Sequence, residues 1–441
     1  SATGCATVYN NVLARHPRGV AFPPDWPLEP NLRVEHVWDG VISLSLLAFH
    51  SVSKTRLRVP HGGAQRDRFT EAIKFRNAFY RMYGLPDHAH FCTKCVRFQY
   101  DATGVPIERT SCVVVDGVTL GHPCCSVPHC FNELARQCDR FCPAHAGNVK
   151  ICAVVGCEEP VVDGRRVCAN PSHLSAEALY DLRKKSRFQL VKRLERTRLA
   201  HARHGGASTI IIEPGAEVGD GDEDDDDGDV DGADEVHAEE DFELDQEGNA
   251  VEPGPSRRTE KLRAQFGRTR THNEQIIVAP CGVIIARCTF YFAESVSAVA
   301  EFIRRTYENC PYCPNHIIFD NNCLLRRHVL ATGDRFFDDI GLSVDVFHFT
   351  SKHKQSDTFC QEHCNPANFE ELKTEDGWFF NSSIAEQTNV WLANYHSMLR
   401  EMRVDRYNFF LDEMIIRKNR AQLEKLAKQG HYVGVWPTTA A

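Results

Sequence analysis

The sequence predicts a mixed α/β protein whose fold is interrupted by a cysteine-rich insert and an acidic linker. Three observations support this prediction. Short apolar runs typical of strands alternate with amphipathic helical segments in the C-terminal half. Two blocks of cysteine and histidine lie between residues 122 and 175 with nearly the same spacing. Between Glu217 and Glu247 there are 18 Asp or Glu residues and no Lys or Arg.

The acidic segment hides a basic protein. The 441 residues carry a formal net charge of −9, with 60 acidic and 51 basic side chains. Without the 18 acids between Glu217 and Glu247, 42 acidic residues remain against the same 51 basic ones, a balance of +9. A basic chain suits a nucleic-acid partner, because Lys and Arg neutralise phosphates. The acidic total by itself therefore does not exclude DNA.

The cysteine content indicates metal binding rather than disulfides. The chain has 19 cysteines, many of them interleaved with histidine, and we find no signal-peptide pattern. Outside a secretory context, such cysteines are more often metal ligands than disulfide partners. We also find no apolar run near 18 residues, so we expect no membrane partner.

The chain order suggests six segments. The first segment contains an apolar run at Val41–Phe49 and an amphipathic helix predicted at Asp67–Tyr83. The expected segments are an N-terminal α/β region with a CxxC pair (1–110), a first core strand (111–121), a double zinc-binding cluster (122–175), a basic helix (176–213), an acidic disordered linker (214–256) and the remainder of the core (257–436).

The two cysteine–histidine blocks each offer three thiolates and one imidazole. The first follows C-x4-C-x11-C-x2-H through Cys125, Cys130, Cys142 and His145. The second follows C-x4-C-x10-C-x4-H through Cys152, Cys157, Cys168 and His173. This ligand set suits tetrahedral Zn²⁺ in a closed, structural site. Free buried cysteines are the alternative, and three further residues compete as ligands of the first block: Cys124, His129 and Cys138.

Other metal candidates rest on weaker patterns. Two CxxC pairs, Cys92/Cys95 and Cys310/Cys313, carry no indication in the sequence of what they meet. A further set could form one more site or could be ordinary loop packing: His348, His353, Cys360 and Cys364.

The core elements have the order βββαβαβα. The first strand is followed, after the insert, by a second set of elements: strands at 276–278 and 283–289, a helix at 294–308, a strand at 316–320, a helix at 324–330, a strand at 342–349 and a helix at 384–402. This is the order of the ribonuclease H-like fold, with one long insertion after the first strand. We therefore expect a ribonuclease H-like catalytic core.

Three carboxylates fall on elements that converge at one end of such a sheet. Asp116 lies on the first strand, Asp320 ends the fourth strand and Glu386 opens the last helix. Three carboxylates could hold two Mg²⁺ or Mn²⁺ ions about 4 Å apart, which stabilise the entering and leaving oxygens of phosphodiester cleavage.

Each carboxylate also has a purely structural interpretation. Asp116 precedes a glycine and could shape a turn. Asp320 could cap the following helix. Glu386 is the last residue of the capping-box pattern Ser-Ile-Ala-Glu. Two other acids could replace it as the third carboxylate: Glu401 and Glu413.

Several long motifs resemble one known family. They are VVVDGVTLGHPCC, RFCPAH, HIIFDNNC, VDVFHF, FCQEHCNPANF, NSSIAEQTNVW and RYNFFLDEM. They resemble the KDZ (Kyakuja–Dileera–Zisupton) transposases and the cysteine clusters associated with them in fungi. The resemblance covers most of residues 35–175 and 257–420.

The resemblance implies a DDE-type transposase that cuts DNA at transposon ends and transfers the strand to a target. The DDE residues would be Asp116, Asp320 and Glu386, with two Mg²⁺ or Mn²⁺ ions. Asp345-Val-Phe-His348 is similar to a (C/D)xxH motif of related enzymes, in which the histidine assists at the active site. The implied partner is double-stranded DNA, the implied location is the nucleus, and a homo-oligomer is expected by analogy.

Two other functions remain open from the sequence. The chain could be a zinc-dependent DNA-binding or chromatin-associated protein that descends from such a transposase and no longer cleaves DNA. It could also be a protein-interaction module whose acidic segment binds basic partners.

Overall fold

The computed structural model describes residues 2–15, 31–185, 239–244, 250–251, 261–308, 310 and 312–433. The helices are α1 Ala2–Ala14, α2 Val34–Val52, α3 Thr70–Tyr83, α4 over residues 171–185, α5 Val296–Tyr307, α6 Asn322–Thr332, α7 Val346–Ser351, α8 Thr358–His363, α9 Ile384–Ala393, α10 His396–Leu399 and α11 Val404–Lys428. The predicted mixed α/β class is confirmed.

The strands form one main sheet and smaller ones in the described part of the chain. Their bounds are β1 Val96–Tyr100, β2 Pro106–Val118, β3 Pro123–Cys124, β4 Glu239–Leu244, β5 Ala250–Val251, β6 Lys261–Gln265, β7 Thr269–Arg270, β8 Asn273–Val278, β9 Ile284–Phe290, β10 His316–Phe319, β11 Gly341–Ser343, β12 Lys373–Thr374 and β13 Gly377–Trp378.

The main sheet has the order β11-β10-β2-β8-β9, and β1 pairs with the first half of β2. Strands β10 and β11 run parallel to β2, while β8 is antiparallel to β2 and β9 is antiparallel to β8. In this register Val115 lies opposite Phe319 on one side and Ile277 on the other. Strand β2 is therefore the centre of the sheet.

Alternate residues of β2 enter two separate apolar cores, because successive side chains of a strand point to opposite faces. Val113 and Val115 join one core, which also receives α5 and α6. Val114 joins the other core, together with Leu392 of α9 and Leu411 of α11. The sheet thus lies between two helical layers, and its central strands are apolar on both faces.

The N-terminal helices pack on α11. Arg76 of α3 is almost fully buried, and its guanidinium lies 2.8 Å from a carboxylate oxygen of Glu413. Asn77 donates a hydrogen bond to the carbonyl of Asp405 at the start of α11. The boundary drawn at residues 110/111 falls inside β2, which begins at Pro106.

Two element predictions in the core are wrong in detail. The strand expected at 342–349 stops at Ser343, and α7 begins at Val346. The Asp345 side chain causes the change, because it accepts the backbone N–H groups of Phe347 and His348 as a helix N-cap. The helix expected at 384–402 is divided between α9 and α10.

The predicted linker is also partly ordered. Residues 239–244 form β4, which pairs with β6, and residues 250–251 form β5 beside β4. The acidic composition of this segment predicted disorder. Composition does not report that β6 can form backbone hydrogen bonds with residues 239–244. The rest of the linker prediction, and the basic helix beyond residue 185, lie outside the described residues. Within the described parts, every helix is too short or too polar to cross a bilayer.

Candidate active site and metal centres

The ends of two neighbouring strands bring Asp116 and Asp320 to one edge of the sheet. Val115 of β2 lies opposite Phe319 of β10 in parallel register, so the next residue of each chain is one of the two aspartates. Adjacent strands are about 4.8 Å apart. The sequence Asp-Gly at 116–117 is not a turn, because Gly117 pairs with Gln275 inside the sheet. A Cβ on this glycine would clash with the side chains of Asn273 and Gln275.

His348 of α7 lies between two of the predicted acids. Its Nδ1 is 2.9 Å from Asp320 Oδ1, and its Nε2 is 3.1 Å from Glu386 Oε1. The nearest ligand atoms of these three side chains all lie within 4.8 Å of one another. Asp345 approaches the same ring, with Oδ1 3.3 Å from Nδ1. The structure therefore brings together Asp320 after β10, Glu386 of α9 and the Asp345–His348 motif at the start of α7.

Helix α9 connects Asp116 to this group. Asn389 donates a hydrogen bond of 2.8 Å to Asp116 Oδ2, and the Gly117 amide donates one of 2.8 Å to Oδ1. Asn389 is three residues after Glu386, so both side chains lie on the same face of α9. Asn389 was not predicted from the sequence, although its spacing from Glu386 is a signal that could have revealed it.

Burial raises the pKa of Asp116 to about 6, and the negative charges of Asp320 and Glu386 add to the shift against the hydrogen bonds that oppose it. Burial is also the main cause of a raised pKa at Asp320 and at Glu386. At Asp320 and Glu386 the nearby His348 and Lys352 oppose the rise in pKa, but the effect of burial is larger. Such a cluster is a candidate functional site.

The carboxylates fit a divalent cation. Hard cations such as Mg²⁺ and Mn²⁺ prefer carboxylate oxygens, and a bound cation would compensate the negative charge that burial penalises. Asp320 and Glu386 belong to the group whose donor atoms lie within 4.8 Å of one another, whereas Asp116 lies outside that group and its oxygens accept hydrogen bonds from Gly117 and Asn389. His348 Nδ1 approaches Asp320 and Asp345, and its Nε2 approaches Glu386. This convergence of nitrogen and carboxylate oxygen atoms suits a shared cation.

The structural alternatives for these acids do not match the contacts observed. Asp320 precedes the N-cap of α6, and its carboxylate faces His348 instead of the helix amides. Glu386 contacts His348 as well, so it does not complete a capping box. The two substitute acids lie elsewhere: Glu401 pairs with Arg268 and Arg270, and Glu413 pairs with Arg76 and Arg417.

The first cysteine–histidine block closes into one group. Its four predicted ligands lie within 4.8 Å of one another: Cys125, Cys130, Cys142 and His145. The competing residues are positioned differently. Cys124 belongs to β3, Cys138 is exposed, and the His129 ring packs beside Phe292.

The second block closes in the same way, and the two blocks have the dimensions of zinc sites. Its ligands are Cys152, Cys157, Cys168 and His173. A tetrahedron with Zn–S of about 2.3 Å and Zn–N of about 2.0 Å places two sulfurs about 3.8 Å apart, and sulfur and nitrogen about 3.5 Å apart. The Cys130 and Cys142 sulfurs are 3.8 Å apart, the Cys157 and Cys168 sulfurs are 3.9 Å apart, and the two imidazole nitrogens lie 3.2–3.5 Å from neighbouring sulfurs. Burial lowers the pKa of His173, which favours the neutral, metal-binding ring.

Two more groups contain the weaker candidates. Cys92 and Cys95 lie close to His90 and Cys281. In the described part of the chain, Cys310 and Cys313 belong to no group of side chains that could bind a metal ion. The proposed set of His348, His353, Cys360 and Cys364 is wrong as a unit. His353 and Cys360 meet Cys323 instead, because His348 is already held between Asp320 and Glu386.

The molecule is thus a mixed α/β protein with several cysteine–histidine clusters that could bind zinc and one carboxylate–histidine cluster. Residues 114–179 match the family model described as a CxC6-like cysteine cluster associated with KDZ transposases. This segment contains Asp116 and both zinc-type blocks. The match supports the resemblance to KDZ transposases and suggests a transposase-related protein. Comparisons with curated proteins and with solved structures give no significant match.

Proposed function

We propose that this protein is a DDE-type DNA transposase with a ribonuclease H-like core. The observation that carries the proposal is the convergence of Asp320, His348 and Glu386, with Asp116 on the neighbouring strand β2, two residues before its end. The strand order β9-β8-β2-β10-β11, with the last two strands parallel to β2, is the order expected for that core. The family match over the cysteine cluster supports the same conclusion independently.

The proposed roles follow from the positions of the side chains. Divalent cations at this site would activate the attacking oxygen and stabilise the leaving oxygen of the phosphodiester. Asp116, Asp320 and Glu386 would bind the cations. Asn389 holds Asp116 in one orientation, and Asp345 fixes the start of α7 and so the position of His348. His348, which lies against both Asp320 and Glu386, could hold or release a proton beside the reacting oxygen.

We assign structural zinc to the two blocks of the insert. Each has three thiolates and one imidazole at tetrahedral spacing, with no open position for substrate. The insert pairs with two smaller sheets: β3 pairs with β7, and the second block forms backbone hydrogen bonds with β6. Contacts between DNA phosphates and its basic residues would give affinity that falls steeply with salt. Double-stranded DNA, a homo-oligomer and a nuclear location belong to this proposal.

The direct test is metal-dependent cleavage of DNA that carries the ends of the element. The full chain is compared with Asp320→Asn and Glu386→Gln, which keep the side-chain size and remove the negative charge. We expect cleavage with Mg²⁺ or Mn²⁺ in the wild type and a loss of at least about 100-fold in each variant, since cation binding would be weakened.

Glu401→Gln is the matched control. Glu401 lies 15 residues after Glu386, pairs with Arg270 and is outside the carboxylate–histidine cluster. Its cleavage rate should equal that of the wild type. Equal rates in Asp320→Asn and wild type would contradict the DDE assignment. Salt-sensitive DNA binding without cleavage by the wild type in either metal would favour the second function, a catalytically inactive DNA-binding protein.

A further inference from the structure

We propose a third zinc site, formed by His90, Cys92, Cys95 and Cys281, which fastens the N-terminal region to the hairpin of the central sheet. The four ligand atoms lie within 4.8 Å of one another. The site lies outside the segment that matches the cysteine-cluster family, residues 114–179.

The spacing of the ligand atoms fits a tetrahedral metal. The sulfurs of Cys92 and Cys95 are 3.6 Å apart, and His90 Nε2 is 3.1 Å from Cys281 Sγ. Sulfurs bound to one zinc are about 3.8 Å apart, whereas a disulfide requires about 2.05 Å. The set therefore has the chemistry of the two zinc blocks of the insert: three thiols and one imidazole.

The surroundings suit a closed metal site. Cys92, Cys95 and Cys281 are each no more than 3% exposed and lie inside the larger apolar core. Three buried thiols beside a half-buried imidazole form a complete set of zinc ligands, and one metal ion would bind all four. The amide of Cys92 donates to the Cys95 sulfur at 3.0 Å, as backbone amides do to the sulfurs of metal-bound cysteines.

The location explains what such a zinc would accomplish. Cys95 directly precedes β1, and Cys281 lies in the turn between β8 and β9, where Gly282 has a φ of +90°. His90 and Cys281 are 191 positions apart, with the insert and linker between them. Closing so long a loop costs chain entropy, which metal binding can offset. The zinc would hold the two halves of the sheet together across the insertion.

The test is the zinc content of the full chain, purified without chelators and measured by plasma mass spectrometry and native mass spectrometry. We expect Cys281→Ser to contain one zinc fewer than the wild type. Cys288→Ser, a cysteine on the same hairpin outside the metal-like groups, is the matched control and should keep the wild-type number. Equal zinc content in all three proteins would overturn the site.

A second pair of variants covers the case in which Cys281→Ser does not fold. His90→Ala should lose one zinc, whereas His90→Cys, which supplies a fourth thiolate, should retain it. If His90→Ala kept the wild-type number of zinc ions, the proposal would be wrong. A Cys92–Cys95 disulfide, found in the wild-type protein after its free thiols are alkylated in the absence of reductant, would also contradict the proposal.

A separate observation points to a metal beside the active site, and this second inference rests on the proposed function. The Nδ1 atom of His353 faces Cys360 at 3.3 Å and Cys323 at 3.8 Å. Its Nε2 lies 3.0 Å from the backbone carbonyl of Asp320. Metal-bound histidines almost always donate their other ring N–H to such an acceptor. We infer that Cys323, His353 and Cys360 bind zinc and that His353 thereby positions Asp320.

Cys360→Ser tests this inference, with the exposed Cys313→Ser as control. We expect one zinc fewer in Cys360→Ser and a kcat for DNA cleavage that falls about 10–100-fold with little change in KM, as for other residues that orient a metal ligand. Unchanged zinc content would overturn the site. Zinc loss with unchanged kcat would overturn the positioning role. If the wild type cuts no DNA, the proposed function fails, while zinc loss would still support the site.

Discussion

The central sheet and the cysteine-rich insert are ordered by different interactions. The sheet lies between two extended apolar cores, which together take side chains from most of its strands and from five helices, α5, α6, α9, α10 and α11. The first zinc-type block is surrounded by a small cluster made mainly of its own cysteines, with Val127, Leu134 and Phe141 at its margin. A segment with so little apolar surface to bury needs cross-links to fold. The difference predicts that zinc removal and core mutations damage separate parts of the molecule.

Loss of a ligand in the insert should have the largest effect. Cys142→Ser removes a thiolate from the first block, and structural zinc contributes apparent free energies of about 10–16 kcal/mol in zinc-finger peptides. We expect the loss of one zinc and of amide protection across residues 122–150, with protection of β8 and β9 retained. Hydrogen exchange followed by mass spectrometry measures both.

Cys138→Ser is the control for that experiment, because Cys138 is exposed in the same block and is not among the four ligands. If Cys142→Ser lowered the protection of the sheet as strongly as that of the insert, the separation of the two regions would be wrong.

A cavity in the sheet should have the next largest effect. Ile277 of β8 is fully buried in the core that also contains Val115. Ile277→Ala should lower the free energy of unfolding by about 2–5 kcal/mol and leave the zinc content unchanged. Denaturant unfolding and metal analysis test this, with the exposed Val149→Ala as a control expected near zero. Zinc loss in Ile277→Ala would contradict the comparison.

The acidic cluster should destabilise the metal-free sheet above neutral pH. The folded pKa of Asp116 is about 6, above its ordinary value of 3.8, so its contribution to stability falls as the pH rises from about 4 to 6. Asp116→Asn removes this cost. Without divalent cations, we expect the variant to be more stable than wild type by about 3 kcal/mol at pH 8 and about equal to it at pH 4.

The same experiment with Mn²⁺ sharpens the prediction. The cation should stabilise the wild type, because it binds only the folded state, and should stabilise Asp116→Asn much less. A stability difference that is independent of pH would mean that the Asp116 charge is not under strain.

The smallest effect is expected at the ion pairs of Glu401 with Arg268 and Arg270. The Glu401 side chain is 53% exposed, so solvent screens its charge, although the Arg270 side chain is only 5% exposed; we expect a contribution of about 1 kcal/mol. Glu401→Gln should therefore change neither the melting temperature by more than a few degrees nor the Mn²⁺ affinity. A loss of Mn²⁺ binding in this variant would reopen the choice of the third carboxylate.

Sequence patterns predicted the local parts of this molecule best. The blocks from Cys125 to His145 and from Cys152 to His173 could be recognised because their ligands lie close together in the chain with repeated spacing. Asp320 could be recognised because it ends a short apolar strand, and such ends meet at one edge of a sheet.

Long-range partners could not be predicted in the same way. Cys281 is 191 positions from His90, and only the hairpin turn and the start of β1 bring them together. The sequence suggested that His348 lies beside His353, but Cys323 does. Tertiary packing decides which thiol each histidine faces, and local spacing does not report it. The error at 346–351 is local, but it depends on whether the Asp345 side chain caps a helix, which apolar periodicity does not report.

The central claim is that Asp116, Asp320 and Glu386 bind divalent cations together. Titration of the zinc-loaded full chain with Mn²⁺, followed by electron paramagnetic resonance, measures this binding without requiring a DNA substrate. We predict that the wild type and Glu401→Gln bind Mn²⁺ and that Asp116→Asn, Asp320→Asn and Glu386→Gln lose at least about tenfold in affinity. Equal Mn²⁺ affinity in all five proteins would contradict the account.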